Sequence, residues 1–207
     1  MTTTPPWWQH GVIYQIYPKS FQDTTGSGTG DLAGVTRRLD YLKTLGVDAI
    51  WLTPFYISPQ VDNGYDVANY TAIDPTYGTL DDCDRLVKEA HQRGIRIILD
   101  MVFNHTSTQH DWFHEAVKPH SPYRQFYIWR NGTPDVAPTN WRSKFGGSAW
   151  RWHAESGEYY LHLFAPEQAD LNWENPQVRA ALKKVCAFWA DRGVDGLRLD
   201  VINLVSK

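Results

Sequence analysis

Three times in this chain a run with helical spacing ends at a glycine and an apolar, strand-like run follows at once. The three phrases are LGVDAIWLTP from Leu45, RGIRIILDMVFNH from Arg93 and RGVDGLRLDVIN from Arg192. A glycine just past a helix end takes the left-handed conformation that caps the last turn, and a β-rich run beyond it enters a sheet. Each phrase therefore predicts a helix-to-strand junction. Apolar side chains at helical intervals precede all three: Leu32, Val35, Leu39, Leu42 and Leu45; Leu80, Leu86, Val87 and Ala90; Val178, Ala181, Leu182, Val185 and Trp189. An opening strand over residues 12–17 (VIYQIY) comes before the first of these helices. Alternating strands and helices imply a parallel sheet with right-handed crossovers.

The interval from Gly94 to Gly193 is roughly twice that from Gly46 to Gly94, so the third unit carries an insertion. Residues 104–173 are rich in Trp, Tyr, Gly and Pro and show no helical period; they read as an irregular subdomain on the loop after the third strand. Residues 1–103 and 174–207 then supply about four βα units, the N-terminal half of an α/β (β/α)8 barrel, whose strand-to-helix loops build active sites. A doubly wound open sheet is disfavoured. Gly26, Gly28 and Gly30 lack the third-glycine register and the acidic ribose partner of a dinucleotide loop.

Composition excludes several functions. The formal charge is -3, with no lysine- or arginine-rich run, which argues against a nucleic-acid partner. The N-terminal MTTTPPWWQH has neither a basic start nor an apolar core, and no stretch approaches membrane-span length, so a cytoplasmic protein is expected. Cys83 and Cys186 lie far from any metal-ligand spacing and read as free thiols. Ten tryptophans and eleven tyrosines offer flat faces with polar edges, suited to sugar rings as well as to core packing.

The chemistry-bearing residues gather at the predicted strand ends. In DGLRLDVIN (195–203), Arg198 and Asp200 share one face of a strand while Leu197, Leu199 and Val201 share the other. A neighbouring cation favours the charged form of a carboxylate. DNGYDV (62–67) and DMVFNH (100–105) are the other blocks.

Together, DNGYDV, DMVFNH, the aromatic insertion and GLRLDVIN resemble glycoside hydrolase family 13, the α-amylase family, in its oligo-1,6-glucosidase branch. The resemblance covers essentially the whole chain. It implies that Asp200 is the nucleophile of a retaining glycosidase and that Arg198 keeps it ionised. It also implies that His105 hydrogen-bonds a hydroxyl of the bound glucose while Asp100 supports the site, and that Asp62 grips sugar hydroxyls while the Tyr65 ring stacks beneath the sugar. Phe145, Phe164 and Gln168 resemble pocket-wall residues. Retaining glycosidases need a second, protonated carboxyl roughly 5 Å from the first. In the family that acid is a glutamate on the fifth strand, which this chain does not reach, and Glu155, Glu158, Glu167 and Glu174 are not candidates for the role.

The family's chemistry needs no cofactor. Asp23, Thr25, Ser27, Thr29 and Asp31 (in DTTGSGTGD) resemble its calcium loop, with Thr25 and Ser27 where stronger ligands are expected; fewer carboxylates weaken the hold on a hard cation. This loop, the IYPKSF lead-in and Val201 direct the resemblance to hydrolysis of trehalose 6-phosphate to glucose and glucose 6-phosphate. Cleavage of α-1,6-glucosides and isomerisation of sucrose are the alternatives. Another class is a non-catalytic relative such as a transporter heavy chain, but those carry a membrane span ahead of the barrel. A small carbohydrate is the expected partner, and the full-length enzyme is expected to be monomeric. The 207-residue chain by itself is expected to aggregate or stay partly unfolded, with an open sheet edge and apolar surface facing water, and to be inactive.

Overall fold

The computed structural model describes residues 6–207. The first five residues, part of the stretch read above as lacking signal character, lie outside the described residues. In chain order the elements begin with β1 (Ile13–Ile16), α1 (Pro18–Phe21), α2 (Leu32–Arg37), α3 (Leu39–Leu45), β2 (Ala49–Leu52) and β3 (Tyr56–Ile57). Next come β4 (Asn69–Ile73), α4 (Leu80–Gln92), β5 (Arg96–Val102), β6 (His105–Ser107) and α5 (Asp111–Ala116). The remainder are β7 (Trp129–Asn131), β8 (Trp150–His153), β9 (Glu158–Leu161), β10 (Gln168–Asp170), α6 (Pro176–Ala190) and β11 (Gly196–Asp200).

The chain forms two compact units. One comprises the chain up to Phe55 with residues 71–101 and 187–198; the other comprises residues 56–70, 102–186 and 199–207. The first unit holds the sheet, in the order β1-β2-β5-β11. Ile13 to Ile16 pair in parallel with Ala49 to Leu52, which pair in parallel with Arg96 to Leu99. This is the order of the first four strands of a (β/α)8 barrel. All three junction glycines have positive φ: Gly46 at 84°, Gly94 at 69° and Gly193 at 86°. At the first, the Gly46 N–H returns to the Leu42 and Lys43 carbonyls, so the glycine closes the helix as expected.

α4 is held at its start by a capping box between Thr79 and Asp82. Its 13 residues would be marginal as an isolated helix, so burial of Cys83, Leu86, Val87 and Ala90 is what stabilises it. Each large apolar side chain taken out of water contributes about 1.5–3 kcal/mol. The first apolar run was expected as one helix but breaks at Arg38. There Thr36 Oγ1 donates back to the Leu32 carbonyl, and the Arg38 N–H reaches only to Val35, tightening the turn.

The last strand is shorter than residues 195–203. β11 stops at Asp200 because Val201 turns left-handed, with φ 40° and ψ 34°. Val201 therefore does not share a strand face with Leu197 and Leu199.

The inserted segment is more regular than its composition suggested. β7, β9 and β8 form an antiparallel sheet, and β6 pairs antiparallel with β10. Trp150, Tyr159, Leu161 and Ala149 form its core. The buried Tyr70 hydroxyl lies 2.6 Å from the Val102 carbonyl and 2.9 Å from that of His105, tying the DMVFNH segment to β4. Both cysteines are free thiols. No helix among the described residues is long and apolar enough to cross a membrane.

Candidate active site

In the first unit, β5 and β11 carry Asp100 and Arg198. Asp100 is fully buried, and Arg198 Nη1 lies 3.0 and 3.1 Å from its two carboxylate oxygens. Trp51, on the neighbouring β2, completes the group: its indole Nε1 donates to Asp100 Oδ2 at 3.1 Å, and the Arg198 guanidinium lies 4.7 Å over its ring. One indole therefore serves a carboxylate with its edge and a cation with its face. Sequence reasoning passed over Trp51, although its place in a parallel strand beside DMVFNH is the signal that could have found it.

In the second unit, the DNGYDV block is a turn wound around a carboxylate. Asn63 and Gly64 both have positive φ, 50° and 99°, the combination a tight turn of this hand requires. Buried Asp66 accepts from Ser58 Oγ and from the Val61 and Asp62 N–H groups at 2.9 to 3.0 Å, which fixes where Asp62 and Tyr65 leave the turn. Asp66 belongs to the motif, but nothing local marked it as the residue that organises the loop.

Asp62, His105 and Gln168 meet there. Gln168 Nε2 donates to Asp62 Oδ2 at 2.9 Å and lies 3.1 Å from His105 Nε2, while its Oε1 accepts from the Ala165 N–H at 2.8 Å. His105 Nε2 is 3.2 Å from the Tyr65 carbonyl. Phe164 packs on the imidazole with centroids 5.2 Å apart, and the exposed Phe145 stands edge-on to Phe164 at 5.5 Å. Burial pushes the Asp62 carboxyl above its ordinary range, opposed by the Gln168 hydrogen bond and reinforced by the charges of Asp66 and Asp200. Asp200 is thus close enough for Asp62 to feel it. Burial pulls His105 down to about 3, with Lys207 adding to the shift, so the ring is neutral.

Behind His105 lies a second layer absent from the sequence reading. Lys207 Nζ is 2.5 Å from Asp170 Oδ1 and 2.6 Å from Asn104 Oδ1, and also meets the Leu204 carbonyl. Asn104 Nδ2 lies 3.1 Å from Asp170 Oδ1 and 3.0 Å from His105 Nδ1. Burial pushes Asp170 up and Lys207 down, each opposed by the charge of the other.

His110 is buried, caps α5 by accepting from the Trp112 N–H at 3.0 Å, and is pulled down to about 4 by burial.

The Asp23 to Asp31 loop is folded around its own two carboxylates. Asp23 accepts from the Thr25, Gly26 and Gly28 N–H groups at 2.8 to 2.9 Å, and these bonds hold its carboxyl down near 2. Asp31 accepts from Thr24 N–H and Oγ1 and caps α2 at Gly34. Both carboxylates thus face amide and hydroxyl hydrogens, Thr25 Oγ1 turns toward Asp23, and Ser27 Oγ toward the Thr29 carbonyl. The loop offers two carboxylates, each already accepting amide hydrogens, and would hold a hard cation weakly.

A parallel strand–helix array with polar side chains at its strand ends defines the barrel-enzyme class of α/β protein. Residues 15–207 match the family described as alpha amylase, catalytic domain, and the chain belongs to that family. It is 83% identical over its whole length to trehalose-6-phosphate hydrolase of Escherichia coli (strain K12), of which it covers 38%. It is 55% identical, over 97% of its length, to the oligo-1,6-glucosidase of Heyndrickxia coagulans, covering 37% of that protein. The crystal structure of trehalose-6-phosphate hydrolase from Bacillus licheniformis superposes on 98% of the chain with a TM-score of 0.95 at 57% identity, the match taking in 37% of that structure. The chain therefore spans well under half the length of these relatives.

Proposed function

We propose that the chain supplies the nucleophile-bearing part of a retaining α-glucosidase that hydrolyses trehalose 6-phosphate to glucose and glucose 6-phosphate. The observation that carries the substrate assignment is the margin in identity, 83% to the trehalose-6-phosphate hydrolase against 55% to the oligo-1,6-glucosidase. In this reading Asp200 attacks the anomeric carbon to form a glycosyl ester as the glycosidic C–O bond breaks. Glucose 6-phosphate leaves with a proton from an acid elsewhere in the full-length enzyme, and water then cleaves the ester to release glucose and free the Asp200 carboxylate. Asp62, His105 and Gln168 hold the glucose hydroxyls, with Tyr65, Phe164 and Phe145 against the ring. Arg198, two residues before Asp200 on β11, and Asp100 form the charged support. No glutamate of the insertion is assigned the proton-donor role, and Glu158 is already paired with Arg124.

Residues 1–103 and 174–207 belong to the barrel in this proposal, and residues 104–173 to the inserted subdomain. The enzyme is proposed to act in the cytoplasm as a monomer, without nucleic-acid or membrane partners. The Asp23 to Asp31 loop is proposed to stand without calcium, supported by the commitment of both carboxylates to N–H donors.

The test is an assay of the full-length enzyme carrying this chain. Equal amounts of glucose and glucose 6-phosphate are expected from trehalose 6-phosphate, and Asp200→Asn is expected to abolish the reaction. Much faster cleavage of isomaltose, or rearrangement of sucrose, would remove the substrate assignment. Calorimetric titration of the same enzyme with calcium is expected to give no binding heat.

A further inference from the structure

The hydrogen-bond inventory around Asn104 determines where the His105 proton lies. A lysine ammonium only donates, so the atom of Asn104 that is 2.6 Å from Lys207 Nζ is its oxygen, which settles the orientation of the amide. The Asn104 nitrogen then faces Asp170 Oδ1 at 3.1 Å and His105 Nδ1 at 3.0 Å, and it too can only donate. An amide nitrogen thus faces each ring nitrogen, Asn104 at Nδ1 and Gln168 at Nε2, and only Nε2 also has an acceptor, the Tyr65 carbonyl at 3.2 Å, so Nδ1 is the nitrogen that accepts and carries no proton. A neutral ring with a bare Nδ1 holds its proton on Nε2.

The front of the ring is settled in the same way. Gln168 Oε1 accepts from the Ala165 N–H, so the Gln168 nitrogen is the atom 3.1 Å from His105 Nε2. Two donors therefore stand side by side. The imidazole N–H has the Tyr65 carbonyl at 3.2 Å, and Gln168 gives one hydrogen to Asp62. The other Gln168 hydrogen faces a nitrogen that cannot accept it. An acceptor oxygen placed before this pair would relieve that conflict.

We propose that the Lys207–Asp170 ion pair is a positioning device that fixes Asn104, and through it helps select the Nε2–H tautomer of His105, so that the ring N–H, directed at the Tyr65 carbonyl, and the second Gln168 hydrogen can share one acceptor oxygen of the sugar. The identity of the acceptor rests on the proposed function; the selection of the tautomer does not. Lys207 and Asp170 act behind the ring and touch no substrate in this scheme. The charged groups around His105 are Asp62 beyond Gln168, and Asp170 and Lys207 beyond Asn104; burial and Lys207 both disfavour a second proton on the ring.

The experiment is nitrogen NMR of the full-length enzyme carrying this chain, labelled with ring-15N histidine, with His105→Gln identifying the signals. The expected spectrum shows one bare and one protonated ring nitrogen, the proton on Nε2, unchanged between about pH 5 and 8. A proton on Nδ1 would overturn the proposal outright.

The exchange Asn104→Asp with Asp170→Asn conserves charge. It leaves a carboxylate for Lys207 and an amide to face it, but turns an acceptor toward His105 Nδ1. The ring is expected to take a proton at Nδ1, kcat/KM to fall on the order of tenfold, chiefly through KM, and the acid limb of the pH profile to move upward. An exchanged enzyme whose ring still has Nδ1 bare would refute the relay. If it fails to fold, the unsubstituted enzyme's spectrum remains decisive. Should the spectrum be as expected while trehalose 6-phosphate is not cleaved, the substrate assignment fails and the tautomer relay stands.

Discussion

Asp100 and Asp170 are both fully buried, and both lie against a cation, yet the two pairs are built differently. Arg198 reaches both oxygens of Asp100 and lies over the Trp51 ring. Lys207 is 11% exposed, a compact charge enclosed by the oxygens of Asp170, Asn104 and Leu204. A planar, weakly hydrated guanidinium suits a pair with one side open to a ligand, whereas an ammonium with three free donors suits a closed nest. The Arg198 pair is built against an aromatic face, whereas the Lys207 pair is closed within its own neighbours.

The most forceful way to break this comparison is Lys207→Met in the full-length enzyme. Removing one partner of an enclosed pair leaves a buried charge uncompensated and is expected to cost about 3–5 kcal/mol in denaturant unfolding. A loss below about 1 kcal/mol would mean that water reaches Asp170, and the contrast would fail. Arg198→Lys keeps the charge but removes the fork and the ring contact. We expect kcat to fall on the order of 100-fold with little change in stability. An unchanged rate would reduce Arg198 to a mere charge.

A third test uses pH. His105 and His110 have folded pKa values of about 3 and 4, below the ordinary 6.5, so the unfolded chain binds protons more readily between those limits. Stability present above pH 6.5 should therefore be lost as pH falls toward 4, at up to about 1.4 kcal/mol per pH unit for each ring. A melting temperature that stays flat over that window would show that the rings are hydrated. The smallest effect is expected for Trp51→Phe, which keeps a ring under Arg198 but removes the N–H to Asp100. A loss of about 1 kcal/mol is the forecast, checked by the same unfolding measurement.

The parts legible in the sequence were those set by local rules. Gly46, Gly94 and Gly193 end helices because a left-handed residue must sit there, and the apolar spacing before each glycine shows which helix face is buried. Asp62 and His105 were named from motifs and Gln168 from the family resemblance of the insertion, and the three meet in one hydrogen-bonded group. The Lys207 nest was not legible, because Asn104 and Lys207 are 103 positions apart and no local period links them. The antiparallel sheet of the insertion was missed because its strands are three or four residues long and rich in tryptophan and tyrosine, too short to display an alternation. Trp51 was hidden by its own strand, where an indole reads as core until its N–H is seen to have a carboxylate partner.

The left-handed turn at Val201 has an implication for engineering. A β-branched side chain at φ 40° works against its own backbone, at a cost of about 1–3 kcal/mol, and it does so directly after Asp200. Glycine would relax that position. Any search for thermostable variants should therefore find Val201 early, and it is there that a gain in heat resistance would be expected to trade against the aim of the carboxylate beside it.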